Sequence, residues 1–337
     1  MSAFIDELNA LTDFHRKHCR LYNDYVQTLF GDVGIARDLT EIPYLPVRAF
    51  KQFNLKSIED HDVYKIMTSS GTSGQPSKIH LDKATAQVQT RKLVETFGAV
   101  ISKKRLPMLI IDAESTIRDR RRFSARTAAI NGFGMFARER IFSLNDDMTL
   151  NLERVTTFLE RYPSEPVLIF GFTAMIWVHF IQALQQANIK LNVAHAMILH
   201  GGGWKKLAHL QVSPEIFHET IAATIGCNRV HNYYGMIEQT GSIYMACEAG
   251  HLHAANDADV LIRDTKNFNP LGHNERGVIQ LFSTIQKSYP GHALLTEDVG
   301  WTQPGHHCPC GNPKTILHIE GRLEQAEVRG CSDAYAT

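Results

Sequence analysis

The chain lacks a charge imbalance: 35 Lys and Arg face 35 Asp and Glu, a formal net charge of +0 at pH 7. A nucleic-acid binder carried by bulk electrostatics, or a polybasic membrane clamp, needs a cation excess that is absent here. Long apolar runs are also missing, and none reaches the roughly 18 residues of a membrane span. The opening residues, MSAFIDELNA, have neither the basic start nor the apolar stretch of a signal peptide, so a cytoplasmic location is expected. Cysteine is scarce, with 6 in 337 residues, too few for a disulfide scaffold. In a reducing compartment such cysteines serve as ligands, nucleophiles or buried apolar groups. Cys19 and Cys227 sit in helix-like, partly apolar surroundings, whereas Cys308, Cys310 and Cys331 crowd the C-terminal end.

What is present is a globular balance, 44% hydrophobic and 21% charged, at a length that builds one large domain or two ordinary ones. Phe4, Leu8, Leu11, Phe14, Leu21, Tyr25 and Leu29 recur at helical spacing, so one or two amphipathic helices are predicted first. Pro43 and Pro46 forbid a continuous helix through EIPYLPVRAF and predict an extended link into the body. Strands are predicted at 107–112, 166–172, 194–200, 258–263 and 277–283, with helices near 83–98, 173–188 and 213–225. This alternation predicts α/β architecture with largely buried sheets. The run RDRRR at 118–122 is the one dense basic cluster. It reads as a solvated face, or else as an anion-binding edge or a docking point for an acidic partner.

The most informative stretch is Thr68-Ser69-Ser70-Gly71-Thr72-Ser73-Gly74-Gln75-Pro76-Ser77-Lys78, after the strand-like VYKIM. Glycines let backbone N–H groups turn toward an anion, hydroxyls add donors, and Lys78 places a cation at the loop's end. Pro76 and Ser77 occupy the places where a Walker loop needs Gly and Lys, so it is not one. Taken alone, the same composition also fits a flexible Ser/Gly turn.

This loop resembles the phosphate loop of the adenylate-forming superfamily, which includes acyl-CoA synthetases and the adenylation domains of peptide synthetases, with Ser77 added before the lysine. Other elements similar to that family follow in order. His200-Gly201-Gly202-Gly203 closes a strand where the family runs its backbone beside adenine. Asn232-Tyr233-Tyr234-Gly235-Met236-Ile237-Glu238 resembles its Tyr-Gly-x-Thr-Glu element. The resemblance implies that Tyr234 stacks on adenine, Asn232 meets its edge and Glu238 holds Mg²⁺. Ile237 stands in place of the usual Thr. Thr296-Glu297-Asp298 resembles the Thr-Gly-Asp element with Glu297 in place of Gly, which implies that Asp298 binds both ribose hydroxyls. Gly321-Arg322 resembles the hinge element, with Arg322 also reaching the ribose. The physics agrees: ATP needs a donor-rich loop, a planar aromatic, a carboxylate for Mg²⁺ and another for the ribose.

The resemblance implies the large N-terminal α/β domain of the superfamily, layered sheets with a small distorted β region. Enzymes of that superfamily continue about a hundred residues past the hinge, into a lid carrying a lysine, whereas only 323–337 follow Arg322 here. The expected organisation is a helical leader over 1–60, an ATP- and acid-binding domain over 61–322, and a mobile tail over 323–337. That tail holds Arg329-Gly330-Cys331. Together with IPYLP and Phe50-Lys51, it resembles the long-chain acyl-protein synthetases of bacterial luminescence operons. Members activate a fatty acid as acyl-adenylate, move the acyl group to a cysteine near their C-terminus, and pass it to an acyl reductase. Cys331 is the matching position. A thiolate is a good nucleophile toward a mixed anhydride, and a neighbouring cation such as Arg329 would favour that thiolate.

A second constellation carries metal chemistry. Cys308-Pro309-Cys310 and the Cys247, His251, His253 segment supply thiolates and imidazoles from two short stretches, as a tetrahedral zinc site requires. The favoured quartet is Cys247, His253, Cys308 and Cys310, with His251 and His307 competing for the fourth place. Buried thiols beside unrelated histidines are the alternative. Phenylacetate-CoA ligase-like enzymes resemble this pairing.

The sequence therefore predicts an acid–thiol ligase: carboxylate and MgATP give acyl-adenylate and pyrophosphate, then an acyl thioester. Glu238, Lys78 and Arg322 would serve the chemistry and Cys331 would accept the acyl group. The partner would be an acyl reductase or carrier, with no nucleic acid. A phenylacetate-type CoA ligase and a catalytically silent nucleotide-binding scaffold are the rival readings. The apolar run from Phe170 to Trp177 is either an acyl-pocket wall or core.

Overall fold

A computed structural model describes residues 2–69, 75–118 and 125–323. Phosphate-loop residues 70–74, basic residues 119–122 and the tail with Cys331 lie outside the described residues. The chain forms two compact units, one from 1–96, 235–245 and 251–337, the other from 97–234 and 246–250.

The first unit opens with helix Ala3–His18, whose Ser2 side chain caps the N–H of Ile5. Ile5, Leu8, Leu11 and His15 return every third or fourth residue and are buried. Cys19, in extended conformation, ends that helix, and Arg20–Phe30 follows, burying Tyr22 and Val26. Gly31 closes it at φ +68°, a left-handed value that favours glycine. The proline-rich link then behaves as the sequence predicts. Leu45–Pro46 runs as a strand parallel to Leu294–Leu295, and Val47 N–H donates to Leu295 O at 2.9 Å. Phe50, Tyr22, Leu45, Ile79, Tyr289 and Leu294 form one buried apolar cluster, so the leader is built into this unit's core.

The unit's main sheet is antiparallel. Ala258–Arg263 pairs with Pro270–Leu271 and Gly277–Ser283, Gly277–Ser283 with Ala293–Gln303, and Ala293–Gln303 with Ile316–Arg322. Ile316–Arg322 also pairs with Leu252–His253. A separate hairpin joins Lys65–Thr68 to Lys78–Leu81, so the Ser/Gly loop spans the hairpin's end.

The second unit holds five parallel strands in the order Ala137–Leu144, Leu106–Ala113, Leu168–Phe172, Met197–Gly201, Arg229–Tyr234. The three central strands, Leu106–Ala113, Leu168–Phe172 and Met197–Gly201, are near-continuously buried, as strands covered on both faces are. The predicted helix at 173–188 forms, but as Thr173–Ile176, a wider π turn over Trp177–Ile181, and Gln182–Gln186. Ile176 and Trp177 pack with Phe158, Phe180 and Phe217, and Phe170 is fully buried against Phe133, so these three residues are core. The predicted strands and the helices near 83–98 and 213–225 are all present within a few residues.

Candidate functional site

In the first unit, the strand pairing that closes the hairpin sets the geometry below the Ser/Gly loop. Ser69 N–H donates to Ser77 O at 3.1 Å, and Ser77 N–H donates to Ser69 Oγ at 2.8 Å. Thr68 ends one strand and Lys78 begins the other, with its side chain exposed. Ser77, the residue added to the family pattern, is fully buried, and its hydroxyl lies beside the Glu238 carboxyl.

Glu238 sits in the single turn Ile237–Gln239 and is only 6% exposed. Its backbone carbonyl accepts from the Tyr289 hydroxyl at 2.9 Å. Gln239 Nε2 donates to Gly291 O at 2.8 Å, pinning the same turn. Burial pushes the Glu238 carboxyl above its ordinary pKa, while the Ser77 hydroxyl and the Lys51 and Arg322 charges act in the opposite sense. A desolvated carboxylate beside a buried hydroxyl is an oxygen-donor pair of the kind a hard divalent cation takes. The residues present therefore fit Mg²⁺. Ile237, by contrast, packs against the apolar cluster that holds Phe50, Ile79 and Tyr289, which explains an apolar residue where the family pattern has Thr.

The ribose element lies on Ala293–Gln303. A register shift between Val299 and Gly300 leaves Asp298 opposite Arg322, and Arg322 Nε donates to Asp298 Oδ1 at 3.3 Å. Asp298 N–H is held by Thr296 Oγ1 at 3.1 Å. Beside it Glu297 accepts from Arg48 Nε at 2.8 Å and also from Arg48 Nη2. The structure thus brings Glu238, Ser77, Lys51 and Arg322 into one electrostatic neighbourhood and pairs Asp298 with Arg322.

In the second unit, His200 closes its strand with Nδ1 at 2.9 Å from Thr173 Oγ1, while its buried Nε2 has no partner. Burial lowers its pKa to about 3, so the ring is neutral. The glycines after it have steric reasons. A Cβ on Gly201 would fall 2.4 Å from the Tyr233 ring, and one on Gly202, at φ +69°, would fall 2.7 Å from Phe172. Gly203 opens onto free space. In register, Asn232 lies beside His200 and Tyr233 beside Gly201. Tyr233 packs on Phe133 at 4.7 Å, a structural role that the motif did not reveal, while Asn232 and Tyr234 are half-buried. Gly235 begins the next segment; a Cβ there would meet Ile243 at 2.9 Å.

The metal candidates also converge. In the first unit, the ligand atoms of His253, Cys308 and Cys310 lie within 4.8 Å of one another. His253 Nε2 is 3.4 Å from Cys310 Sγ, and its Nδ1 is 3.0 Å from Lys314 O. That carbonyl keeps the proton on Nδ1 and leaves Nε2 as the ligand atom, the arrangement that metal-bound histidines use. His251 Nδ1 lies 3.1 Å from Cys308 Sγ, an outer partner to the thiolate rather than a member of the group. His307 is not in it.

Sequence reasoning missed Arg48 and Tyr289. Neither belongs to a short motif, and each acts on a motif residue far away in the chain.

A family model described as "Acyl-protein synthetase, LuxE" matches residues 3–337. The long-chain-fatty-acid–luciferin-component ligase of Vibrio harveyi is 21% identical over 322 residues, covering 92% of this chain and 81% of that protein. The Photorhabdus luminescens protein of the same name is 33% identical over 69 residues, 20% of this chain and 59% of its own. Among solved structures, 2-hydroxyisobutyryl-CoA ligase in an open conformation with 2-HIB-AMP and CoA aligns with a TM-score of 0.73 at 12% identity. That match covers 96% of this chain and 69% of that one. A long-chain-fatty-acid-CoA ligase from Archaeoglobus fulgidus aligns with a TM-score of 0.53 at 14% identity, covering 80% and 53%. These structures show the fold, the α/β fold of the adenylate-forming ligases' N-terminal domain.

Proposed function

This chain belongs to the LuxE acyl-protein synthetase family, and we propose that it activates a fatty acid with ATP and carries the acyl group on Cys331. The observation that carries the proposal is the first unit's carboxylate pair: Glu238, buried beside the Ser77 hydroxyl, and Asp298, fixed opposite Arg322. These are the two carboxylates that MgATP requires, on the two motifs where the family pattern places them.

In this reading Asp298 and Arg322 hold the ribose, and Tyr234, Asn232 and Gly201 to Gly203 receive the adenine. Thr68, Ser69, the loop through Gly74, and Lys78 donate to the phosphates. Glu238, with Ser77 next to it, would hold Mg²⁺, which when bound neutralises phosphate charge and polarises the bond to pyrophosphate. The carboxylate oxygen of the acid attacks the α-phosphorus and pyrophosphate leaves. The nucleophile is already ionised, so the chain's task is alignment and charge neutralisation rather than proton removal. The Cys331 thiolate then attacks the acyl carbon and AMP leaves. The thioester is the form handed to a partner, an acyl reductase or carrier. Cys247, six residues before His253 in the same hairpin, completes a structural zinc site with His253, Cys308 and Cys310, all four positions being filled by protein.

Intact mass after incubation with MgATP and a panel of fatty and aryl acids tests the proposal, with Cys331→Ala alongside. A hydroxylamine-sensitive, acyl-sized gain in the unsubstituted chain alone is expected. AMP and pyrophosphate without any attached acyl group would move the acceptor to CoA or another protein and remove Cys331 from the mechanism.

A further inference from the structure

The pair between Arg48 and Glu297 sits next to the ribose carboxylate and has no place in the family pattern. Where that pattern has glycine, this chain has a carboxylate directly preceding Asp298. Arg48 comes from the leader, 249 residues away, and donates to Glu297 Oε1 from Nε at 2.8 Å and from Nη2. Its backbone is tied in on both sides. Leu45–Pro46 pairs with Leu294–Leu295, Val47 N–H bonds Leu295 O at 2.9 Å, and Ala49 and Phe50 are buried directly after it. On the other side, Leu323 N–H donates to Glu297 O at 3.0 Å, and Arg322 bonds Asp298. Residues 297 and 298 are therefore gripped from the leader and from the last described strand at once.

The Arg48 side chain is 44% exposed and that of Glu297 14% exposed. A pair this open contributes little to folding stability. Its consequence is local. An unpaired Glu297 would repel Asp298, its neighbour in sequence, and turn this irregular stretch of the strand away from the conformation that Arg322 also holds. We propose that Arg48 is a positioning residue for the ribose: by neutralising Glu297 it keeps that carboxylate from displacing Asp298, which then meets the ribose hydroxyls. The proposal rests on the assignment of Asp298 to the ribose made above.

The test is equilibrium binding, by calorimetry, of ATP and of 2′,3′-dideoxy-ATP to four full-length proteins: unsubstituted, Arg48→Ala, Glu297→Gly and the double variant. Arg48→Ala is expected to weaken ATP by about tenfold, the scale of one charge-assisted hydrogen bond, and dideoxy-ATP by less than about twofold. Glu297→Gly, which needs no counter-ion, is expected to bind ATP within about twofold of the unsubstituted protein, and to restore binding when added to Arg48→Ala. Unfolding midpoints should stay unchanged in all four. Equal losses for both nucleotides in Arg48→Ala would overturn the proposal, because Arg48 would then act on the phosphates or the fold. A double variant as weak as Arg48→Ala would overturn it as well. An unsubstituted protein that binds the two nucleotides equally well would instead remove Asp298 from the ribose, and the role of Arg48 with it.

Discussion

The Tyr289 hydroxyl donates to the backbone carbonyl of Glu238 at 2.9 Å, and both residues are buried. Tyr289 in turn meets Phe50 edge-on at 5.8 Å, so the leader's core supports the turn that carries Glu238. Tyr289→Phe keeps the ring and deletes the bond. Its stability in urea should fall by about 1 kcal/mol, the usual net worth of a buried hydrogen bond. The Mg²⁺ concentration needed for half-maximal adenylation should rise in the same variant. An unchanged Mg²⁺ requirement would show that the turn is held without Tyr289.

Glu238 must be ionised to hold a cation, yet burial raises its pKa. The acid side of the pH–rate profile for adenylation should therefore lie above the ordinary carboxylate range at low Mg²⁺, and move down as Mg²⁺ is raised. Glu238→Gln keeps the shape and loses the charge. It should cost roughly 10²-fold or more in rate, as the loss of an electrostatic stabiliser usually does. A Gln variant within twofold of the unsubstituted rate would exclude Glu238 from metal binding.

His15 gives a stability prediction independent of the active site. Its Nδ1 lies 2.8 Å from Ser57 Oγ and its Nε2 2.9 Å from Gln286 O, with His292 stacked at 5.1 Å, Tyr22 edge-on, and His18 on the next turn. Burial lowers its pKa to about 3, against 6.5 for the exposed group, and lowers that of His292 in the same direction. A depressed folded-state pKa means the unfolded chain takes up protons first. The stabilising contribution is full above pH 6.5 and is lost as pH falls from there toward about 3. The thermal midpoint should drop by roughly 5 °C between pH 7 and pH 5, and His15→Gln should show a shallower dependence. A flat profile in the unsubstituted protein would contradict the buried neutral pair.

For the thiolate group, elemental analysis should find one zinc per chain. A chelator strong enough to remove it should lower the thermal midpoint, because metal bound only in the folded state stabilises by mass action. Cys310→Ala should bind zinc far more weakly, and His251→Ala should retain it. If His251→Ala loses the metal as completely as Cys310→Ala does, His251 is a ligand and not an outer partner.

Much of this was legible in the chain because local rules agreed with the fold. The helical spacing from Phe4 to Leu29 gave the two opening helices, broken at Cys19. Pro43 and Pro46 marked the extended link, and apolar runs such as PVLIFGF and GVIQLFS marked buried strands. The metal candidates were legible because thiolates and imidazoles in two tight segments leave few other partners. The strands Ala137–Leu144, Arg229–Tyr234, Ala293–Gln303 and Ile316–Arg322 were harder to see. Polar residues such as Asn232, Asp298 and Arg322 interrupt their apolar pattern, and three of the four carry site motifs. Arg48 and Tyr289 could not be read at all, since each takes its meaning from a residue that only the folded chain brings near. The run ending at Trp177 was ambiguous for a different reason: an apolar segment looks the same whether it lines a pocket or fills a core. Here Phe170, Ile176 and Trp177 are core.

The central claim is that this chain makes an acyl-adenylate, and isotopic exchange of labelled pyrophosphate into ATP tests it most directly. Exchange that depends on both Mg²⁺ and an added fatty acid, persists in Cys331→Ala, and disappears in Glu238→Gln is the expected result. Absence of exchange with every member of a broad panel of fatty and aryl acids, by a protein that still binds ATP, would contradict it. The chain would then be a nucleotide-binding scaffold on a ligase fold.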